Sequence, residues 1–278
     1  MQIPQSSTSK RSAGRSFEMK EKLINWFKGQ DGAVIAFSGG VDSCVVAAAA
    51  REALGKKAIA VTSDSKTFPK SELEHAKKAA REIGIKHEIF TENELENPAF
   101  VKNPTDRCYH CRKGLIEGVK AIAERYNITT IVDGANASDT GEHRPGMKAM
   151  KEADVKSPLL ELGITKDKVR KIAGEFGLSV KEKPAMACLA SRVPYGERIT
   201  EGKLQKIEKA ENILKGLGIS QMRVRHHESL ARIEVMPEDM PKVSENKAQI
   251  VEKFKALGFA YVTLDIKGYR SGSMDEIL

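Results

Sequence analysis

Short apolar runs alternate with stretches of helical apolar spacing through the first two thirds of the chain. A short apolar run bounded by turn residues predicts a buried strand, and apolar residues three and four apart predict an amphipathic helix. The strands are predicted at 33–37, 58–61, 86–90 and 130–132, and the helices at 19–28, 42–54, 72–83, 111–125 and 166–176. Strands and helices in alternation predict an α/β fold, with a parallel sheet covered by helices on both faces.

The pattern changes beyond residue 200. It predicts a helix at 203–217, strands at 221–226 and 230–236, a helix at 242–257 and a strand at 261–265. This order is typical of a small α+β domain with an antiparallel sheet. The segment before it, residues 183–196, is rich in prolines and small residues and is predicted to be a structured loop. We therefore expect a disordered tail or added leader at 1–18, a larger domain at 19–196 and a smaller domain at 197–278.

Composition narrows the class of protein. The chain has 278 residues, of which 40% are hydrophobic and 30% charged, and no apolar run approaches the ~20 residues that span a bilayer. Residues 1–18 lack the apolar core of a secretory signal, so we expect a cytoplasmic protein without a membrane partner. The net charge of +8 fits polyanionic ligands such as nucleotides or nucleic acid, although a solvated lysine-rich surface gives the same value.

A glycine loop follows the first predicted strand and has the sequence Ser38-Gly39-Gly40-Val41-Asp42-Ser43. The glycines let backbone N–H groups approach an anion at the start of a helix, the serines add hydroxyl donors, and Asp42 is a candidate to hold the loop or a magnesium ion. No lysine follows the glycines, so the loop is not a Walker A motif. It resembles the loop of PP-loop ATP pyrophosphatases, which split ATP between its α and β phosphates. A plain strand-to-helix turn is the alternative.

A second glycine turn follows the strand predicted at 130–132 and contains Gly134. In open parallel sheets, ligands bind beyond the carboxyl ends of the strands. Both glycine loops lie at such ends, so we expect them to flank one nucleotide site.

The four cysteines argue against a disulfide scaffold in a protein of this kind. Cys44 lies among apolar helix residues and is predicted to be a buried structural thiol. Cys108 and Cys111 form a Cys-x-x-Cys pair, and Cys188 lies in the proline-rich loop. From spacing alone the pair also fits a redox dithiol, zinc with His110 as a further ligand, or two unrelated thiols.

Together these motifs resemble the LarE family of ATP-dependent sulfurtransferases, over nearly all of the chain from about residue 20. The motifs that carry the resemblance are the glycine loop, Asp133-Gly134-Ala135-Asn136 through Asp139, His143-Arg144-Pro145-Gly146, Ser157-Pro158-Leu159, Lys183-Pro184, Cys188-Leu189-Ala190-Ser191-Arg192 and Pro194-Tyr195-Gly196. The resemblance implies adenylation of a carboxylate of pyridinium-3,5-biscarboxylic acid mononucleotide and its conversion to a thiocarboxylate, for the nickel-pincer nucleotide cofactor.

The cysteine that matches Cys188 gives up its own sulfur in one branch of this family. The additional pair in this chain resembles the cluster-dependent branch, in which Cys108, Cys111 and Cys188 would hold a [4Fe-4S] cluster with one open iron. The resemblance then implies ATP, Mg²⁺ and the cluster as cofactors, sulfide or another sulfur donor as a partner, and a homo-oligomer.

Other activities stay open at this point. They are a cluster-free sulfur donor at Cys188, a PP-loop tRNA thiolase, an amidotransferase or synthetase such as NAD or GMP synthetase, and a non-enzymatic iron–sulfur carrier. The tRNA thiolase is less favoured because the chain has no obvious RNA-binding module.

The candidate site residues fall into four groups. Catalytic roles are predicted for Cys188, Asp42 and Arg192. Nucleotide contacts are predicted for Ser38, Gly39, Gly40, Val41, Asp42, Ser43, Gly134 and Arg144. Substrate contacts are predicted for Arg192, Arg223 and Arg225, the last two because alternate residues of a strand share a face and guanidinium groups grip phosphate, although a solvated sheet face is the alternative. Metal ligation is predicted for Cys108, Cys111 and Cys188. Glu211 and Glu234 are taken as ordinary surface glutamates, and a metal site at a subunit contact is the alternative that the resemblance implies.

Overall fold

The computed structural model describes residues 8–139, 145–184, 187–270 and 272–276, with side chains from Phe17 onward. The helices are α1 (Thr8–Lys28), α2 (Val41–Leu54), α3 (Lys70–Ile83), α4 (Pro98–Val101), α5 (Arg107–Arg125), α6 (Pro145–Glu152), α7 (Pro158–Glu161), α8 (Lys166–Glu175), α9 (Glu201–Gly216), α10 (Met240–Glu245) and α11 (Lys247–Ala256). The strands are β1 (Ala33–Ala36), β2 (Ala58–Ser65), β3 (Lys86–Glu92), β4 (Ile131–Val132), β5 (Met222–His227), β6 (Leu230–Val235) and β7 (Tyr261–Leu264).

The chain divides into two compact units that are each discontinuous in sequence. Unit 1 comprises Met1–Asp64, Lys70–Glu92 and Cys111–Ala185, and unit 2 comprises Ser65–Pro69, Asn93–His110 and Met186–Leu278. Residues 187–196, which we predicted at the end of the first domain, therefore group with the second unit. They do so because their backbone and side chains are bound by residues of that unit, as described below.

Unit 1 contains a four-stranded sheet in the order β3-β2-β1-β4, in which β1 pairs in parallel with both β2 and β4. This confirms the predicted α/β class. Strand β1 is apolar throughout because parallel strands are covered on both faces. Helix α2 is apolar almost all round, and its residues from Ser43 to Ala50 are buried. Their small side chains allow this helix to sit in the interior, beside Leu23, Phe27 and Ile172.

Two helix starts differ from the predictions by more than two residues. Helix α1 begins at Thr8, within the segment that we expected to be disordered, and residues 1–7 lie outside the described residues. Helix α5 begins at Arg107 rather than at Cys111. Both Cys108 and Cys111 are therefore helical and lie one turn apart.

Unit 2 contains a three-stranded sheet in the order β5-β6-β7, with a core that includes Leu214, Val224 and Phe254. Strands β5 and β6 form an antiparallel hairpin, but β6 and β7 are parallel. The prediction of an antiparallel sheet is therefore wrong for β7. Helices α10 and α11 connect β6 to β7, and such a crossover brings the chain back in the same direction, as in a βαβ unit.

Candidate functional site

Residues 38–43, here called the phosphate loop, connect β1 to the N-terminus of α2. Gly39 has φ of +68°, and a Cβ atom at this position would lie 2.6 Å from the Cα atom of Ala76, so only glycine fits. The Ser43 hydroxyl donates to the Gly40 carbonyl at 3.1 Å and accepts from the Ser38 N–H at 3.3 Å. The first N–H groups of a helix have no intrahelical acceptor, so this loop presents donors and a positive dipole end to an anion.

The loop after β4 lies directly against the phosphate loop. A Cβ atom on Gly134 would come 2.9 Å from the Ser43 backbone nitrogen, which leaves no room for a side chain. Asn136 Nδ2 donates to Asp42 Oδ1 at 3.2 Å and to Asp139 Oδ2 at 3.0 Å. Within unit 1 the two glycine loops therefore adjoin each other, as their strand-end positions indicate.

Asp42 is held by two partners in this arrangement. Its Oδ2 atom accepts a hydrogen bond from the Lys166 ammonium, at the start of α8, and Oδ1 accepts from Asn136. Of the two roles considered for Asp42, these contacts favour fixing the loop. Lys166 was missed in the sequence because nothing in a helix-starting lysine indicates a partner more than a hundred positions earlier.

Asp133 stabilises the loop after β4 through two hydrogen bonds. Its Oδ1 atom accepts from the Ser157 hydroxyl at 2.7 Å and from the Ala135 N–H at 3.1 Å. Burial raises the pKa of this carboxyl, and the two hydrogen bonds oppose that rise.

Residues 187–196, here called the cysteine loop, belong to unit 2 and include a short 3₁₀ helix at Leu189–Arg192. Arg192 is completely buried and lies within the fold of the loop. Its Nη1 donates to the carbonyl oxygens of Ala187 at 2.7 Å and Cys188 at 2.9 Å, while Nε and Nη2 donate to the two carboxylate oxygens of Glu211 at 2.9 and 3.1 Å. This bidentate pair fixes the backbone on which Cys188 stands.

These contacts bear on three of our expectations. Arg192 was predicted to be catalytic and to bind substrate; its guanidinium is engaged with the loop carbonyls and Glu211, which favours a role in positioning Cys188, and the two predicted roles stay predictions. Glu211 and Glu234 were taken as surface glutamates, which is wrong because they are 7% and 0% exposed. Each is paired with an arginine, as a buried carboxylate must be.

The two arginines of β5 are also buried, so the solvated sheet face that we considered is wrong. Arg225 donates to Glu234 Oε2 at 2.7 Å, to the Ser273 hydroxyl at 2.8 Å and to the Ser191 carbonyl at 3.0 Å. These partners hold Arg225 at the cysteine loop, and its predicted phosphate contact stays a prediction.

Arg223 lies with its guanidinium carbon 5.0 Å from the centre of the Tyr269 ring, and its Nη1 donates to the Met222 carbonyl at 2.6 Å. Burial, followed by the neighbouring Arg192 cation, lowers the pKa of Arg223. A cation in this setting gains free energy from an added anion, so the predicted phosphate contact of Arg223 stays a prediction.

Two segments of unit 2 hold the rest of the cysteine loop. The Leu189 N–H donates to the Thr67 carbonyl at 2.8 Å, and the Thr67 hydroxyl donates to the buried carboxylate of Glu94 at 2.6 Å. The fully buried Asn103 donates through Nδ2 to the carbonyls of Val193 at 3.2 Å and Pro194 at 2.6 Å. These anchors were also missed, because the sequence around Thr67, Glu94 and Asn103 carries no motif that predicts them.

The cysteines occupy different environments. Cys44 is buried, and burial raises the pKa of its thiol to about 12, with the Lys183 cation opposing the rise. This agrees with a structural thiol. Cys108 is exposed at the first turn of α5, and Cys111 and Cys188 are partly exposed. The residue before Cys108, Arg107, lies with its guanidinium carbon 4.5 Å from the centre of the Tyr195 ring in the cysteine loop.

The predicted metal site and one nucleotide contact are not decided by the geometry. Among the described residues, no group of three or more His, Cys, Asp or Glu side chains is arranged to hold a metal ion. The ligand set Cys108, Cys111 and Cys188 therefore stays a prediction. Arg144, predicted to contact the nucleotide, lies outside the described residues. In the described part of the chain, no helix has both the length and the apolar character needed to cross a membrane.

Comparison with known proteins gives the family. Residues 31–108 match the family model described as asparagine synthase. An uncharacterized protein of Synechocystis, slr1717, is 43% identical over 93% of this chain and 97% of its own. The pyridinium-3,5-bisthiocarboxylic acid mononucleotide synthase of Lactiplantibacillus plantarum is 33% identical over 93% of this chain and 94% of its own. A subunit of the glutamine-hydrolysing GMP synthase of Archaeoglobus fulgidus is 29% identical over 66% of this chain and 63% of its own. With likeness to the Lactiplantibacillus synthase along almost the whole of both chains, this protein belongs to the LarE family.

Proposed function

We propose that the protein is an ATP-dependent sulfurtransferase that acts on pyridinium-3,5-biscarboxylic acid mononucleotide in nickel-pincer nucleotide cofactor biosynthesis. The observation that carries the proposal is the phosphate loop at the N-terminus of α2, closed by the Gly134 loop, in a chain whose relative bears the name of the bisthiocarboxylate synthase. ATP, with Mg²⁺, is the ligand that such a loop fits.

The first half of the reaction activates a carboxylate, which is otherwise a poor electrophile. A substrate carboxylate oxygen attacks the α-phosphorus of ATP, the bond between the α-phosphorus and its bridging oxygen breaks, and pyrophosphate leaves. The N–H groups of the phosphate loop stabilise the charge on the phosphates. The product is an acyl adenylate.

The second half replaces oxygen by sulfur. A sulfur nucleophile in the oxidation state of sulfide, such as hydrosulfide, attacks the acyl carbon. The carbon–oxygen bond to AMP breaks, and one proton is released as the thiocarboxylate forms. Cys188 stands on the backbone that Arg192 and Thr67 fix, which supports a role for its sulfur at a defined place.

We further propose that Cys108, Cys111 and Cys188 hold a [4Fe-4S] cluster. The donor set fits: three thiols are at least partly exposed, two of them one helical turn apart, while the fourth cysteine is buried and keeps its proton. Such a cluster, when bound, supplies a replaceable sulfide, so that Cys188 survives the reaction. The alternative is that Cys188 gives up its own sulfur and becomes dehydroalanine. Cytoplasmic location and homo-oligomerisation stay predictions.

The experiment combines anaerobically purified protein, ATP, Mg²⁺ and the biscarboxylate nucleotide. We expect AMP and pyrophosphate in equal amounts, whereas ADP and phosphate as products contradict the proposal. With added sulfide we expect an unchanged intact mass after several turnovers. A loss of about 34 Da at Cys188, the mass of hydrogen sulfide eliminated from a thiol that acted as nucleophile, would instead identify sacrificial transfer. Iron analysis of Cys108→Ala beside Cys44→Ala tests the ligand set, because only the first variant should lose iron.

A further inference from the structure

Residues 38–43 contain no lysine, but the side chain of Lys183 lies beside the phosphate loop. Lys183 Nζ lies 2.7 Å from Glu72 Oε2 and donates to the Gly39 carbonyl at 3.4 Å. Both side chains are largely buried, with 15% of Lys183 and 7% of Glu72 exposed. An ammonium group thus lies at the turn between β1 and α2, although Lys183 is 144 positions from Gly39 in the sequence.

Two further observations describe the surroundings of this ammonium. Glu72 belongs to the first turn of α3, and Ala76, one turn later, packs against Gly39 so closely that a Cβ atom on that glycine would clash. The Lys183 cation also acts on the thiol of Cys44, in the first turn of α2, where it opposes the rise of the pKa that burial causes. Lys183 therefore lies beside the N-terminus of α2 as well as beside the glycine turn.

The charge of ATP and that of the phosphate loop indicate what an ammonium group at this position can do. The triphosphate of ATP carries about four negative charges at neutral pH, and residues 38–43 include one ionisable side chain, the carboxylate of Asp42. Lys166 is paired with that carboxylate. An ammonium group has three donors, and the contacts of Lys183 with Glu72 and Gly39 use two of them. One donor therefore remains for a further acceptor while the other two hold the side chain in place.

We propose that Lys183 binds the pyrophosphate portion of ATP, in place of the lysine that a Walker A loop carries in its own sequence. Glu72 is the positioning residue that keeps the ammonium at the loop. The proposal rests on the proposed function in that it takes ATP as the ligand of the phosphate loop.

The test compares Lys183→Met with Lys181→Met, which removes the same charge from an exposed side chain two residues away. Dissociation constants of ATP, pyrophosphate and AMP are measured by calorimetry in the presence of Mg²⁺. For Lys183→Met we expect ATP and pyrophosphate to bind about 10- to 100-fold more weakly, as for one lost charge-assisted hydrogen bond, and AMP to bind as in the wild type. Lys181→Met should match the wild type for all three ligands.

Two results overturn the inference: unchanged binding of ATP and pyrophosphate by Lys183→Met, or an equal loss of AMP binding. If the wild type itself binds no ATP, the proposed function fails as well. The wild-type measurement therefore distinguishes failure of the inference about Lys183 from failure of the proposed function. Should Lys183→Met fail to fold because the buried Glu72 carboxylate loses its lysine partner, the double variant Glu72→Gln/Lys183→Met removes both charges and is measured in its place. Lys183→Arg keeps the charge and should retain pyrophosphate binding better than Lys183→Met.

Discussion

The phosphate loop and the cysteine loop are built in opposite ways. The phosphate loop is closed by hydrogen bonds among its own residues, such as that from the Ser43 hydroxyl to the Gly40 carbonyl, and by the absence of a side chain at Gly39. The cysteine loop is held from outside, by Glu211 through Arg192, by Thr67 and by Asn103. The phosphate loop takes its turn from its own residues, with Asn136 and Lys166 holding Asp42, whereas the cysteine loop depends on residues from several parts of unit 2.

This difference bears on how each loop responds to mutation. A turn closed by its own backbone fails when one of its glycines is replaced. A loop held by buried polar side chains fails when a distant partner is removed, since the remaining partner is left buried without compensation. The two loops should therefore be separable by mutation, and the following variants test that separation.

The largest effect is expected for Arg192→Met. The substitution leaves the Glu211 carboxylate buried and removes the donors to the Ala187 and Cys188 carbonyls. Breaking one partner of a buried ion pair costs about 3–5 kcal/mol of unfolding free energy. We expect that loss in chemical denaturation, together with loss of thiocarboxylate formation and retained ATP binding.

The matched control is the double variant Arg192→Met/Glu211→Gln. It removes both charges, so it should recover part of the stability while thiocarboxylate formation stays low. A double variant no more stable than Arg192→Met would mean that the buried carboxylate is not the source of the cost.

Gly39→Ala should have the next largest effect, on the phosphate loop alone. A left-handed backbone costs a residue with a Cβ about 1–2 kcal/mol, and the approach to Ala76 adds about 1–3 kcal/mol of overpacking. We expect weaker ATP binding by calorimetry and a lower melting temperature. Gly163→Ala is the control, because Gly163 also has a positive φ but has no atom within 4 Å of the added Cβ. Equal loss of ATP binding in both variants would contradict the local account.

A moderate effect is expected for Asn103→Ala. The amide donates to the Val193 and Pro194 carbonyls and accepts from Arg107 Nη1 at 2.7 Å, so its removal leaves buried polar groups without these partners. The cost should be about 1–3 kcal/mol in chemical denaturation. Because Asn103 has φ of +55°, Asn103→Gly should be less destabilised than Asn103→Ala. Unchanged stability of both variants would show that the anchor is dispensable.

The smallest effect concerns the thiol of Cys44. Its pKa is raised from 9.0 to about 12 in the folded chain, chiefly by burial. The unfolded thiol ionises first as pH rises, so its contribution to stability is complete below pH 9 and is lost as pH rises towards 12. Relative to Cys44→Ala, the wild type should lose about 1 kcal/mol of unfolding free energy between pH 8 and pH 10. A constant difference over this range would contradict a buried neutral thiol.

The phosphate loop could be predicted from the sequence, whereas the supports of the cysteine loop could not. The glycine loops, the α/β class and the structural role of Cys44 depend on neighbouring residues, and sequence patterns record those. The supports of the cysteine loop depend on pairs such as Arg192 with Glu211, which come together only when a loop and helix α9 pack. A glutamate on a helix, such as Glu211, is predicted to lie at the surface as long as its buried arginine partner is unknown.

One signal for these supports was present in the sequence. Strand β5 carries Arg223 and Arg225, and the following strand carries Glu234. In the antiparallel register Glu234 lies opposite Arg223, and its ion pair is with Arg225. Arginines at alternate positions of a strand, opposite a glutamate in a hairpin that also carries Val224, Ile233 and Val235, indicate buried ion pairs rather than a solvated face. The parallel direction of β7, by contrast, follows from the helical crossover before it.

The supports of the cysteine loop also set the order in which the protein can acquire its parts during synthesis. Chains emerge from the ribosome from the N-terminus, and the phosphate loop can close on itself as soon as β1 and α2 have emerged. The cysteine loop needs Glu211 and Arg225, and Arg225 in turn is bound by Ser273. On a growing chain, therefore, the glycine turn of the phosphate loop emerges well before Cys188 can reach its final place, which requires Ser273.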